Sequence, residues 1–94
     1  NDTWVTEGWL EGMLDVAERE ENVCVVGNTH LFPKTDLLNH CGMAVASDGK
    51  PLHLQPYSDP SLPAANYQRH LEMVTFACCL IPKEWFFKLG GLDE

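Results

Sequence analysis

The sequence predicts an α/β fold, because an amphipathic helical segment leads into a β-branched run and a second apolar run leads into another short helix. Residues 7–21 place apolar side chains at helical spacing, with acidic side chains on the opposite face. Residues 23–26 and 74–81 are typical of buried strands, and the short apolar pieces between residues 29 and 57 are typical of hairpins. We therefore expect a mixed sheet with a small antiparallel hairpin region and helices packed on it.

The first helix is predicted to cover residues 7–21, with Thr6 as its N-cap. Asn22 marks its exit, and residues 23–26, closed by Gly27, are expected to form a buried parallel strand. The inward stripe of the helix is formed by Trp9, Leu10, Met13, Leu14 and Ala17. This stripe predicts that the helix packs on a sheet.

The central region is predicted to be a hairpin or small meander followed by an exposed loop. Residues 47–50 read Ser-Asp-Gly-Lys, which is a turn signal between apolar pieces. Residues 56–63 contain three prolines with serine and aspartate, which indicates an exposed loop. On its residues alone this loop is a connector, and the alternative of a specificity loop near the acceptor is implied only by the family resemblance described below.

The C-terminal region begins with an uncharged apolar run, residues 74–81, which predicts a strand buried on both faces. Pro82 ends that run and suits the first turn of a helix, predicted over residues 83–89. The inward-facing side chains of this helix are expected to be Trp85, Phe86 and Leu89.

A double glycine and two carboxylates follow the second helix. Gly90 and Gly91 suit the positive φ of a helix C-terminus and leave room for close approach of backbone or ligand. Asp93 and Glu94 come directly afterwards. A carboxylate next to a glycine-rich turn is a physically reasonable general base for an incoming hydroxyl group.

Charge and cysteine content narrow the function classes. Fourteen acidic residues against six basic ones give a formal net charge of −8, which argues against binding nucleic acid or anionic membranes. No apolar stretch approaches the roughly twenty residues that span a bilayer, so no membrane segment is predicted in this chain. The four cysteines lack a C-x-x-C pair and are expected to be buried free thiols in a reducing cytosol.

Five sequence motifs occur in a recognisable order along nearly the whole chain. They are Asn1-Asp2 followed by Gly8-Trp9-Leu10, then Val25-Val26-Gly27, His40-x-Gly42, Val74-Thr75-x-Ala77-Cys78 and finally Gly90-Gly91-Leu92-Asp93-Glu94. In this order the motifs resemble family 2 glycosyltransferases, which have a Rossmann-like nucleotide-sugar fold called GT-A. The resemblance implies that residues 1–94 are a partial GT-A domain, its acceptor-side portion, with the nucleotide-binding half outside this chain.

The resemblance also implies an activity. Family members move a sugar from a nucleotide-diphosphate donor to an acceptor hydroxyl, so the expected partners are a nucleotide-sugar and a carbohydrate or glycan acceptor. We expect a metal-assisted, inverting hexosyltransferase of polysaccharide biosynthesis, located in the cytoplasm. The isolated 94 residues are expected to be inactive and to self-associate through exposed sheet surface.

Site residues follow from matching the motifs. Asp2 would bind Mg²⁺ or Mn²⁺, because it stands where the family's acidic metal motif ends a strand; the alternative is an exposed terminal aspartate without a role. Gly90, Gly91 and His40 would bind substrate, although His40 also suits a purely structural role at a hairpin end.

Asp93 and Glu94 are the candidate catalytic residues of this chain. The family's usual base lies in a further Glu-Asp motif beyond this point, so both residues also suit an acceptor-side or structural role, and Asp93 a helix cap. The Arg pair that many relatives carry after the strand is absent, since Pro82 intervenes. Lys83 is the nearby cation that either reaches an anionic group or is simply solvated.

Two other function classes stay open at this point. The first is a non-catalytic acidic interaction module of glycosyltransferase-like shape. The second is a small zinc-binding domain, which the irregular spacing of His30, His53 and His70 relative to the cysteines makes the poorer option.

Overall fold

The computed structural model describes residues 3–93, so the predictions for Asp2 and Glu94 lie outside the described residues. Two helices and six short strands make up the regular structure. In chain order the elements are α1 (Trp9–Arg19), β1 (Val26–Gly27), β2 (His30–Leu31), β3 (Leu38–His40), β4 (Met43–Val45), β5 (Pro51–His53), a 3-10 turn (Pro63–Ala65), β6 (Cys79–Leu80) and α2 (Lys83–Lys88).

The strands of residues 3–93 pair into three antiparallel ladders, β1 with β6, β2 with β3, and β4 with β5. The prediction of a parallel strand over residues 23–26 was wrong in both position and direction. The strand lies at Val26–Gly27, and Val26 stands opposite Leu80 in an antiparallel register. A mixed sheet belonging to a larger α/β domain stays a prediction.

Helix α1 is shorter than predicted at both ends. It begins at Trp9 because Gly8 adopts a left-handed conformation, with φ of 78°. The predicted Thr6 cap was wrong: no side chain caps this end, and Thr6 contributes only its carbonyl, which accepts a hydrogen bond from the Trp9 amide. The buried side chain of the helix is Met13, and the helix contacts β1.

The predicted hairpin region is confirmed. Strands β4 and β5 flank the turn, which is closed by the Ala46 amide donating to the Lys50 carbonyl at 2.8 Å. Gly49 supplies the positive φ of 84° that the turn requires, and the Asp48 carboxylate accepts from the Lys50 amide. A second hairpin pairs β2 with β3.

The second apolar run departs most from the prediction. Of residues 74–81, only Cys79–Leu80 forms a strand, and the run is not buried on both faces, since Phe76 is 58% exposed. The chain turns at residues 76–77, and the Thr75 amide bonds a histidine ring in place of a neighbouring strand. An apolar composition alone did not reveal this side-chain partner.

Helix α2 covers Lys83–Lys88 directly after Pro82, close to the prediction. Trp85 and Phe86 are half-buried as expected, but the inward orientation of Leu89 was wrong: Leu89 is 77% exposed because it lies just past the end of the helix. The predicted exposed loop at residues 56–63 is confirmed in the main, with Ser58 and Pro60 half-buried.

The hydrophobic core is small for a chain of this length. Its buried apolar residues are Met13, Val26, Leu38 and Ala65. Large apolar side chains are exposed near both ends of the described chain, for example Trp4 and Leu92. Neither helix within residues 3–93 combines the length and apolarity needed to cross a membrane.

Candidate functional site

The most buried polar side chain of the described residues is His40, which is 1% exposed on strand β3. The inward-facing register of β3 places it beside Leu38 in the interior, because alternate residues of a strand face the same side. Both ring nitrogens have partners. His40 Nε2 lies 3.3 Å from the Thr75 amide nitrogen, and His40 Nδ1 lies 3.2 Å from His53 Nδ1.

These two contacts determine the tautomer of His40. A backbone amide only donates, so Nε2 must accept from Thr75 and therefore carries no proton. In a neutral ring the proton then sits on Nδ1, which donates to His53 Nδ1. His53, whose Nδ1 accepts, carries its own proton on Nε2. The two rings meet edge to face, with centroids 5.3 Å apart.

A third histidine completes the group, which we call the histidine cluster (His30, His40 and His53). The ring centroid of His30 lies 5.3 Å from that of His40. His30 Nε2 donates to the side-chain oxygen of Asn28, Oδ1, at 2.7 Å, and Asn28 Nδ2 donates to Cys78 Sγ at 3.4 Å. The histidine cluster therefore connects β2, β3 and β5 with the segment that leads to β6.

Burial sets the protonation of the histidine cluster. Desolvation is the largest of the causes that lower the pKa of His40 to about 4, and the proximity of His30 and His53 contributes in the same direction. Burial also lowers the pKa of His30, against a hydrogen bond to the Cys78 backbone that raises it. His40 is therefore neutral at physiological pH, as its two hydrogen bonds require.

An open groove of about 930 Å³ runs beside the cluster, between the end of α1 and residues 65–74. Its lining carries polar and charged groups, among them Asn28, Arg69, His70 and Glu72. Arg69 is fixed there, since its guanidinium donates to the Cys41 carbonyl at 3.2 Å and to the Tyr67 hydroxyl at 3.0 Å.

The C-terminal turn (residues 89–93) has a different construction. Gly90 and Gly91 have φ of 85° and 83°, as predicted for a helix C-terminus. The Gly91 amide donates to the Phe86 carbonyl at 2.9 Å and the Gly90 amide to the Phe87 carbonyl at 3.1 Å, which is the hydrogen-bond pattern of a Schellman cap. The two glycines thus end α2.

The sequence-predicted site residues do not form one constellation in the described chain. His40 is buried among histidines and its contacts do not include the C-terminal turn, where Asp93 is exposed. Among residues 3–93, no three His, Cys, Asp or Glu side chains are placed to hold a metal ion together. The described residues therefore do not supply a complete site for Mg²⁺ or Mn²⁺.

Sequence reasoning missed the partners of His40, namely His30, His53 and Thr75. The signal that finds two of them is hairpin register. Pairing β2 with β3 places His30 opposite His40, and the turn at residues 47–50 places His53 opposite Met43. The contact to Thr75 spans 35 positions and has no local signal.

The cysteines are free thiols, as predicted, but their expected burial was wrong. Cys24 is exposed, and Cys41, Cys78 and Cys79 are half-buried. Partial burial raises the pKa of the Cys79 thiol, and the adjacent Cys78 raises it further. The Cys79 thiol is therefore a weak nucleophile at neutral pH.

Comparison with known proteins gives one informative similarity. The chain is 34% identical over 95 aligned residues to O-antigen biosynthesis protein RfbC of Myxococcus xanthus, an alignment that covers 96% of this chain and 7% of that protein. The chain thus spans about 7% of the length of this relative. No protein-family model matches the chain. No solved structure matches it either.

Proposed function

We propose that these residues are the acceptor-side portion of a GT-A catalytic domain of a family 2 glycosyltransferase. Its reaction is transfer of a sugar, with inversion, from a nucleotide-diphosphate donor to a hydroxyl of a glycan acceptor during polysaccharide biosynthesis. The observation that carries the proposal is the similarity to an O-antigen biosynthesis protein along 96% of the chain, in a sequence that holds the five ordered motifs.

The structure supports parts of this proposal through individual motifs. The double glycine forms a turn that leaves Asp93 exposed directly after α2, where an acceptor hydroxyl has access to it. In this proposal Asp93 and Glu94 act on the acceptor hydroxyl, as base or as orienting groups. Gly90 and Gly91 let the acceptor approach the main chain.

Metal binding is the part of the proposal that depends on Asp2. A Mg²⁺ or Mn²⁺ ion supplies charge neutralisation for the departing diphosphate. Residues 3–93 provide no set of three ligands of their own, and in this proposal Asp2 binds the ion together with oxygen ligands from outside this range. In this proposal the ion is therefore bound by the longer protein that carries these residues.

Nucleotide binding provides the first test. UDP with Mn²⁺, and GDP with Mn²⁺ as the second nucleotide, are titrated calorimetrically into the 94-residue chain and into the longer protein that carries it. We expect heat of binding only with the longer protein, because the nucleotide-binding half is proposed to lie outside this chain. Absence of binding to both would overturn the catalytic proposal and favour the acidic interaction module.

Substitutions in the longer protein test the proposed roles of Asp2 and Asp93 in sugar transfer. Asp2→Asn and Asp93→Asn are each expected to lower sugar transfer about 100-fold or more, in the range of a lost acid–base or charge-stabilising group. Asp15→Asn is the matched control, since Asp15 is an exposed aspartate on α1 whose ion pair with Arg19 spans 3.7 Å. Unchanged turnover in both test variants would refute the site assignment.

Exposed apolar side chains support the proposed self-association of the isolated chain. Trp4 is 97% exposed, and Phe87 and Leu92 are more than half exposed. Light scattering at micromolar concentrations should detect species larger than a monomer. A strictly monomeric chain over that range would contradict this part of the proposal.

A further inference from the structure

The segment of residues 71–75 is seated against the hairpins and β1 by close contacts at successive positions. In two of these contacts the partner is a glycine, Gly42 or Gly27. A Cβ added to either glycine would stand less than 3 Å from the opposing side chain. The contacts are Leu71 against Gly42, the Met43 amide donating to the Met73 carbonyl at 3.1 Å, and Val74 against Gly27.

Thr75 is the last residue of this segment, and its contact is of a different kind. Its amide donates to the ring of His40, from which it is separated by 35 positions, at 3.3 Å. Immediately afterwards the chain turns at residues 76–77 and enters β6 and α2. The ring of His40 therefore sets the point at which the main chain leaves the hairpins for the C-terminal turn.

His40 in turn is held by His53. His40 is 1% exposed and has both ring nitrogens in use, so neither nitrogen is available to a ligand. The substrate contact that the motifs predict for His40 does not fit this geometry. A residue with that burial and those partners acts on its surroundings by fixing other groups.

We propose that His40 is a positioning residue, which in its Nδ1–H tautomer is oriented by His53 and fixes the main chain at Thr75. The segment that it fixes leads to Gly90, Gly91 and Asp93. The consequence for sugar transfer rests on the proposed function, whereas the tautomer and the Thr75 contact do not.

The tautomers can be observed directly in the 94-residue chain. Long-range nitrogen–proton correlation spectra at pH 7.5 should show His40 protonated at Nδ1 and His53 protonated at Nε2, with neither ring averaging between tautomers. His70, which is exposed, is the internal reference and should show averaging. A His40 ring that averages like His70, or that carries its proton on Nε2, would overturn the proposal. A stoichiometric zinc ion between the two Nδ1 atoms would overturn it as well.

Amide hydrogen exchange distinguishes positioning from general support of the fold. His40→Gln keeps a side-chain acceptor near the former Nε2, whereas His40→Leu removes it. Exchange at the Thr75 amide should accelerate at least tenfold in His40→Leu and stay within threefold of the original in His40→Gln. The Leu38 amide, which donates to the Ser58 carbonyl, serves as control. Equal acceleration at both amides, or none at Thr75, would contradict the proposal.

Sugar transfer by the longer protein completes the test. His40→Leu should lower kcat with little change in the KM for the nucleotide donor, and His40→Gln should restore most of kcat. If the unaltered protein transfers no sugar, the proposed function fails while the tautomer and exchange results still decide the role of His40. If transfer is intact in His40→Leu, the positioning role in catalysis is refuted and the proposed function is unaffected.

Discussion

The histidine cluster and the C-terminal turn are built in opposite ways. His40 is buried and is fixed by partners 13 and 35 positions away in the chain. The C-terminal turn is exposed, and the hydrogen bonds of Gly90 and Gly91 reach back only to Phe87 and Phe86 in the preceding helix. The conformation of the histidine cluster therefore depends on the whole fold, whereas that of the C-terminal turn depends on residues close to it in the chain.

This difference separates structural from chemical roles among the residues of the motifs. A side chain with every polar atom satisfied in the interior contributes through geometry, because it has no atom left to offer a ligand. An exposed carboxylate on a locally stable turn is accessible to a ligand and costs the fold little. His40 belongs to the first kind and Asp93 to the second.

Acidification should give the largest effect, and it should act chiefly through the buried His40, with His30 contributing in the same direction. The pKa of His40 is about 4 in the folded chain, against an ordinary value of 6.5. Well above pH 6.5 the ring is neutral in both states and stability is full; as pH falls through 6.5 towards 4, the unfolded chain gains the proton before the folded chain does. Stability should therefore drop by up to about 3 kcal/mol across this window.

Urea unfolding at a series of pH values measures this loss. His40→Gln should make the curve shallower between pH 6.5 and 4, because the substitution removes one of the two histidines whose pKa is lowered by burial and leaves His30. His70→Gln, at an exposed histidine outside the histidine cluster, is the control substitution. Identical pH profiles for the original chain and His40→Gln would contradict the prediction.

Gly42→Ala should produce the next largest effect, again at the buried region. Gly42 has φ of 128°, and an added Cβ would stand 2.5 Å from Leu71 Cδ1. The combined strain and steric clash should cost about 2 kcal/mol or more in the free energy of unfolding. Gly49→Ala is the control: φ is 84° there, no atom lies within 4 Å of the added carbon, and the cost should be about 1 kcal/mol.

Gly90→Ala tests the C-terminal turn and should cost less. Its φ of 85° disfavours a side chain by about 1 kcal/mol, while the space around it is open. Gly12→Ala, within α1, should instead stabilise the chain by about 0.5–1 kcal/mol. A loss at position 90 as large as that at position 42 would show that the C-terminal turn is coupled to the core.

Asp93→Asn should have the smallest effect on the fold. Asp93 is exposed, so the free energy of unfolding should change by less than about 0.5 kcal/mol. The same substitution is proposed to impair sugar transfer strongly in the longer protein. A large loss of stability would assign Asp93 a structural role. It would contradict the view that the C-terminal turn contributes little to the stability of the fold.

Local rules predicted the parts of the fold that local chemistry controls. Asp48-Gly49 determined a turn, and Gly90 determined the end of α2, because each position needs a particular backbone conformation. The start of α1 was missed because Gly8 adopts a left-handed conformation, which displaces the cap expected from Thr6.

The strand predicted over residues 74–81 failed for a non-local reason. Its apolar composition satisfied the strand pattern, but the Thr75 amide is bonded by His40, and the chain then turns at residues 76–77. The motifs led to His40 through the resemblance, and the residues alone left its structural role open. The predicted turn at residues 47–50 implies the β4–β5 register that brings His53 to His40, whereas the contact of His40 with Thr75 has no local signal.

The loop after β5 is hydrogen-bonded to β3 at one residue, Leu38. Leu38 exchanges hydrogen bonds with Tyr57 and Ser58, at 2.7 and 2.9 Å, and the Tyr57 ring stacks on Phe32 with centroids 4.9 Å apart. Insertions on the two sides of this point are therefore not equivalent. A residue added after Ser58 should leave the hydrogen bonds to Leu38 and the stacking on Phe32 in place. A residue added between β5 and Tyr57 should strain these contacts or shift a different side chain towards Phe32. We therefore expect an insertion after Ser58 to destabilise the chain less than an insertion between β5 and Tyr57.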